Sequence, residues 1–390
     1  MNTPPSIRFG QTQASVLLDL LRALAALLVC LEHWRNLFYV DYGQIASHRI
    51  LFALPYVVCG AGHQAVVIFF VLSGYLISGS IFRMMRHGEW SWRLYLTHRL
   101  VRLWIVLVPA LLLGAALDFA GLHFHLAPAL YAGQTGTHMM NRVPETFRAS
   151  SFFGNLFFLQ GILTTTFGSN TPLWSLANEF WYYILFPCAF LAFRKKTSRL
   201  SRVLNAVTFF LFAWFVGRTI LLLFPLWLLG TVLAVIPVPN VGSKMRVAAA
   251  LLYCPILFFL AKTSVVKGVI SDYILGAATF GFLWLLLAAR DVAPARKWVS
   301  TVRGSARFSY TLYLVHVPML VLLVALVGAD VRWQPDIRHL LYGFPLLFLT
   351  IGYAYLVASM TEFRTDSVRT WVETRLMGKR VRGREPVVSS

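Results

Sequence analysis

The sequence predicts an all-α polytopic membrane protein, a helical bundle of about ten transmembrane spans with both termini cytoplasmic. Three observations carry this. Of 390 residues, 58% are hydrophobic and only 13% charged, about half the charged share of a soluble domain. Apolar runs long enough to cross a bilayer recur from one end to the other, giving a mean hydropathy of +0.67. Lysine and arginine are dense in every second connecting segment, which orients the spans.

The expected spans are 13–34, 63–82, 103–121, 174–193, 203–218, 219–236, 247–261, 273–289, 309–327 and 339–360. A further apolar stretch, 151–163, is too short to cross and is expected to be re-entrant or interfacial. The first run carries Asp19 and Arg22 and has no small-residue cleavage site, so it reads as a span rather than a cleaved leader. With the N-terminus inside, 25 of the 35 lysines and arginines fall in inner segments and nine in outer ones, with Arg22 inside a span. Dropping one span would invert every later loop and destroy that bias. Residues 1–360 are expected to form one membrane domain and 361–390 a basic inner tail.

Composition also excludes. The net charge of +20 is held in clusters between apolar runs, not on a folded basic face, which excludes nucleic acid as a partner. Cys30, Cys59, Cys188 and Cys254 lie in or beside apolar segments without metal-ligand spacing, so neither a disulfide framework nor a metal site is expected. No internal repeat of the transporter kind is evident. The oligomeric state is not legible in the sequence.

Ionisable groups inside a membrane are costly and mark candidate sites. The first span holds Asp19, Arg22, Glu32 and His33. Arg22 and His33 are eleven residues apart, about three helical turns, so they share a face and stand roughly 16 Å apart along the axis. Asp19, three residues before Arg22, offers a purely structural neutralisation. In the second span, Ser73 and Gly74 within Phe69-Phe70-Val71-Leu72-Ser73-Gly74-Tyr75 permit close helix approach. Arg99 and Arg102, adjacent on a helix face where the third span begins, suit a bound phosphate, or simply the inner headgroups. Glu179 lies about two turns into the fourth span, a natural partner for a histidine. Tyr313 and His316 share a face of the ninth span.

Together these pieces resemble the membrane acyltransferase-3 family over nearly the whole chain. The resemblance rests on Arg22 and His33 separated by ten residues, on the FFVLSGYLI run ending at Ile77, on the Arg99/Arg102 pair, on Leu173-Trp174-Ser175-Leu176 with Glu179, and on Ser309-Tyr310 with Tyr313-Leu314 and His316. Two positions depart from the family pattern: Gln64-Ala65-Val66 stands where a Gly-Val pair is common, and Asn178 and Phe180 flank Glu179 where a second acid is frequent.

The resemblance implies acyl transfer, foremost O-acetylation, from acetyl-CoA or another acyl-CoA to a hydroxyl of a carbohydrate. The acceptor would be a surface polysaccharide, O-antigen, exopolysaccharide or lipo-oligosaccharide, and the location a bacterial cytoplasmic (inner) membrane, with membrane lipids as surroundings. It implies catalytic roles for His33, Glu179 and Arg22, with Glu179 orienting His33, and donor binding by Arg99, Arg102, Tyr313 and His316. Ser73 and Ser175 are candidate acyl carriers. No fused outer domain is expected. A transporter or flippase for a lipid-linked sugar, or a glycan polymerase or ligase, are the competing classes. Acyl-CoA turnover by the purified protein separates them from an acyltransferase.

Overall fold

The computed structural model describes residues 12–135, 137, 140–262, 268–290, 292–294, 296–328 and 331–377. Among them, nine helices are long and apolar enough to cross a membrane. We label these α1 (Gln13–Phe38), α2 (Gly62–Arg86), α3 (Trp92–His123), α4 (Trp174–Phe193), α5 (Arg199–Leu233), α6 (Ser243–Lys262), α7 (Val269–Leu286), α8 (Ser309–Leu326) and α9 (Ile337–Met360). A shorter α10 (Thr365–Met377) follows. Several starts have a local cause. The side chains of Thr12, Ser91, Ser198 and Asp336 accept hydrogen bonds from first-turn backbone N–H groups of α1, α3, α5 and α9, satisfying donors that the helix itself cannot.

The ten expected passes and the nine helices are reconciled at Gly217. Its backbone lies at φ 72°, ψ −176°, a region open essentially to glycine alone, and α5 turns back on itself there. The contacts of its two arms with α4 establish the reversal. Arg202 Nε donates to Ala192 O at 3.1 Å near the inner end of α4. Phe212 and Phe215 then pack on Trp181, each with ring centres 5.4 Å away. Beyond Gly217, Ile220 O accepts from Tyr182 Oη at 2.7 Å, and Trp227 then meets Phe186 at 5.1 Å. The second arm thus descends the side that the first one climbed.

Contacts between connecting segments agree with alternating passes. On the inner face, Gln13 N donates to Val292 O at 2.7 Å, and Trp284 Nε1 to Pro237 O at 2.9 Å. On the outer face, Trp333 N donates to Phe38 O at 2.7 Å, and Arg332 pairs with Asp41 at 2.9 Å. The stretch expected to be re-entrant or interfacial begins within a helix of only eight residues, Ala149–Leu156, which packs beside α3 and then turns. The carbonyls bared at the turn, Leu156 O and Phe158 O, accept from the indoles of Trp104 and Trp181, each at 2.9 Å. Irregular backbone at membrane depth needs such partners.

α8 is the most enclosed span and packs against α1, α3 and α9. α2 and the second arm of α5 cross backbone to backbone: a Cβ at Gly74 would overlap the Trp227 carbonyl, and one at Gly230 the Val71 carbonyl. Small residues make this approach possible where lipid supplies no hydrophobic drive.

The segment expected as a basic tail begins instead as packed structure. Glu362, just after α9, is buried and pairs with Arg102 at 2.8 Å; it also accepts from Thr311 N at 2.9 Å and Thr311 Oγ1 at 2.7 Å. α10 lies along the inner end of α3, where His98 meets Glu373. The tail expectation weighed only the positive charge of the segment. Glu362 and Glu373 complement the basic face of α3. Residues 378–390 lie outside the described residues, as does Arg8.

Two outcomes follow from this architecture. In a cysteine-free background, a cysteine placed at Lys196 or Lys244 reacts with an impermeant reagent only from the inner face, and one at Arg218 or Arg332 only from the outer face. Labelling of positions 196 and 218 from one side would remove the turn at Gly217 and the ten passes with it. Gly74→Leu lowers thermal stability by about 1–3 kcal/mol through overpacking. Gly79→Ala, whose added atom would find its nearest neighbour at 4.0 Å, leaves stability unchanged. Equal melting of Gly74→Leu and the parent protein would contradict the close crossing.

Candidate active site: two cavities that share Tyr313

Two cavities enter the bundle from opposite faces. The inner one, of about 140 Å³, is lined by Arg22, Ser73, Arg99, Arg102, Glu179 and Tyr310, among others. The outer one, of about 310 Å³, is lined by Glu32, His33, His63, Thr171 and Trp174, among others. Val66 and Tyr313 line both. The stripe expected on α1 is therefore divided: Arg22 faces the inner cavity and His33 the outer.

Helix geometry explains the inner cluster. Arg22 lies mid-way along α1 and makes the Asp19 pair that its sequence neighbourhood allowed, at 3.4 Å, while also feeling the charges of Arg102, Glu362 and Glu179. Arg99 and Arg102 stand together near the start of α3, yet they are not equivalent. Arg102 is committed to Glu362. Arg99 donates to Ser80 Oγ at 3.3 Å and stacks its guanidinium near Tyr95 and Tyr183, at 5.6 and 6.0 Å from the ring centres. Its Nε has no hydrogen-bond partner among the described residues.

Glu179 does not meet His33. Its Oε1 accepts from Ser73 Oγ at 3.1 Å and from Tyr183 Oη, and Ser73 Oγ accepts in turn from Trp227 Nε1 at 3.2 Å. The sequence argument placed both residues at similar depth, which is compatible with contact. The azimuth of Glu179 on α4 turns it instead toward α2 and the inner cavity.

The partner of His33 is another histidine. His33 Nδ1 lies 2.8 Å from Val29 O, and His316 Nδ1 lies 2.8 Å from Leu312 O. Carbonyls only accept, so both Nδ1 atoms carry hydrogen. His316 Nε2 then presents its lone pair to His33 Nδ1–H at 3.3 Å, with the rings edge to face at 5.0 Å. His33 Nε2 keeps a lone pair, and His33 borders the outer cavity. His316 was expected to hold the donor. It is wholly buried, borders neither of the two cavities and supports His33 from behind. Tyr313 Oη lies 2.7 Å from Ser175 Oγ and donates to Pro172 O at 3.2 Å, which fixes the ring between the cavities.

Sequence reasoning missed a second histidine. His63 Nε2 lies 2.8 Å from Asp272 Oδ1, and its ring lies nearly parallel to Trp174, at 17° and 6.3 Å. Beside it, Glu32 accepts from the backbone N–H groups of Gly62 and His63. A Cβ at position 62 would overlap the Glu32 carboxylate, so a larger residue there would displace Glu32. Both His63 and Asp272 sit at the ends of spans, where charge is inexpensive and carries no alarm. Among the described residues, no group of three or more His, Cys, Asp or Glu is placed to hold a metal ion.

Comparison with known proteins gives three findings. A stretch of 150 residues is 29% identical to an uncharacterized protein of Haemophilus influenzae, covering 37% of this chain and 56% of that protein. The chain thus spans about half the length of that relative. No solved structure matches it. Residues 16–360 match the family described as an acyltransferase domain, acyltransferase 3, and the chain belongs to that family.

Proposed function

We propose that this protein is a bacterial inner-membrane O-acyltransferase. It takes an acyl group, foremost acetyl, from acyl-CoA at the inner face and passes it to a hydroxyl of a carbohydrate at the outer face. One observation supports this above the others. An arginine-lined inner cavity and a histidine-bearing outer cavity share two wall residues, Val66 and Tyr313.

In this reading the phosphates of the donor lie at the inner mouth. Arg99 is their principal ligand, because it has no carboxylate partner among the described residues and a planar fork binds phosphate bidentately, whereas Arg102 already serves Glu362. The thioester reaches past Tyr313 toward the outer cavity. There His33 Nε2 takes the proton of the acceptor hydroxyl as its oxygen attacks the thioester carbonyl. The imidazolium so formed is steadied by the lone pair of His316 Nε2 against its Nδ1–H. Arg22 stabilises negative charge on the donor side. As the tetrahedral adduct collapses, the C–S bond breaks and the ester remains on the acceptor. His33 returns its proton to the departing sulfur, so coenzyme A leaves inward as the thiol. The acyl group moves outward and a proton moves inward with the thiol, so the exchange carries no net charge.

Two predictions test this reading. Arg99→Gln raises the KM for acetyl-CoA at least tenfold with insertion intact, and Arg99→Lys recovers part of the loss. Arg102→Gln mainly lowers stability, by about 3–5 kcal/mol, since it strands the buried Glu362. An unchanged donor KM in Arg99→Gln would return Arg99 to an ordinary interfacial role. His33→Ala removes transfer by about 10²-fold or more while acetyl-CoA still binds, and His316→Ala reduces turnover less, with the donor KM unchanged. Wild-type transfer by His33→Ala would exclude it as the base.

A further inference from the structure

The outer cavity holds more than a base. Its walls from α1, α2 and α4 carry an aromatic ring, a histidine anchored by a carboxylate of α7, and a second carboxylate, none of which the transfer chemistry uses. Asp272 accepts from His63 Nε2 at 2.8 Å. Acceptance by a carboxylate fixes hydrogen on Nε2 and leaves Nδ1 as the remaining polar atom of a side chain that is half exposed. The ring of Trp174 lies beside it. One oxygen of a carboxylate has several lone-pair directions, so Glu32, already held by the backbone of Gly62 and His63, retains accepting capacity for a ligand.

We propose that Glu32, His63 and Trp174 hold the ring of the acceptor, with Asp272 orienting His63. This rests on the acyltransferase reading above and adds to it the residues that hold the acceptor. A pyranose offers an apolar C–H face, which packs on an indole, and edge hydroxyls that donate to carboxylate and imidazole. His33 lies in the same cavity, so a ring held by this wall presents a neighbouring hydroxyl to it. Asp272 is a positioning residue, and His63 and Glu32 bind.

The test uses the full chain in nanodiscs with labelled acetyl-CoA. Methyl glycosides of glucose, galactose and mannose serve as acceptor probes. The wild type transfers to at least one of them. Trp174→Ala and His63→Ala raise the acceptor KM at least tenfold, with the acetyl-CoA KM unchanged. Asp272→Asn, which keeps an accepting oxygen, retains most of the affinity that Asp272→Leu loses. Glu32→Gln, which replaces one accepting oxygen by a donor, raises the acceptor KM. Should Trp174→Ala fail to fold, a cysteine introduced as His63→Cys reports directly: the active probe slows its alkylation. Normal transfer by the wild type with acceptor KM unaltered in the His63 and Trp174 variants would overturn the subsite and leave the acyltransferase reading standing. Failure of the wild type to transfer to any probe, with no hydrolysis of acetyl-CoA, would instead overturn that reading and this subsite together.

Discussion

Inside a bilayer no water is at hand to satisfy a polar group, and the placement of nearly every ionisable side chain in this bundle follows from that constraint. Each has a protein partner or borders a cavity. Arg102 has Glu362 and Arg22 has Asp19. Glu179 has Ser73 and Tyr183. His33 has a backbone carbonyl and His316. The same rule governs the backbone, for at the turn after Leu156 two tryptophans donate to the bared carbonyls. Arg22, Arg99, Arg102 and Glu179 gather at one cavity, and Glu32, His33 and His63 at the other.

That division shapes the chemistry. A single aqueous pore would let ions and water pass between the faces and would expose a thioester to hydrolysis. In the proposed reaction, two cavities that abut at one tyrosine and one valine let an acyl group be handed across while coenzyme A and sugar stay on their own sides. Tyr313 is suited to stand at the boundary because its hydroxyl is fixed by Ser175 and Pro172, so its ring has a defined place without closing off the space around it.

The scaffold supports the cavities through close contacts rather than bulk. The crossing of α2 with the second arm of α5 at Gly74 and Gly230 brings Trp227 near enough to hold Ser73, and Ser73 near enough to hold Glu179. The Gly-containing run in the second span, which as sequence reads as a packing motif, is thus also what builds one wall of the inner cavity. Packing and chemistry are served by the same small residues.

The sequence by itself determined the class, the alternation of faces and the depth of each ionisable group, because hydropathy, Lys and Arg placement and rise per residue are properties of one chain segment at a time. Arg99 and Arg102 at an inner helix start, Arg22 mid-span and His33 near an outer end were all legible in that way. Azimuth between helices was not. Depth made Glu179 a credible partner for His33, yet rotation of α4 gives it to Ser73, and the packing of α8 on α1 gives His33 to His316 instead. The role of His63 was likewise hidden, since its partner Asp272 is 209 residues away and both sit where the membrane ends and charge is unremarkable. Which helix faces which is decided by side-chain packing between distant segments, and no local pattern in a single sequence encodes it.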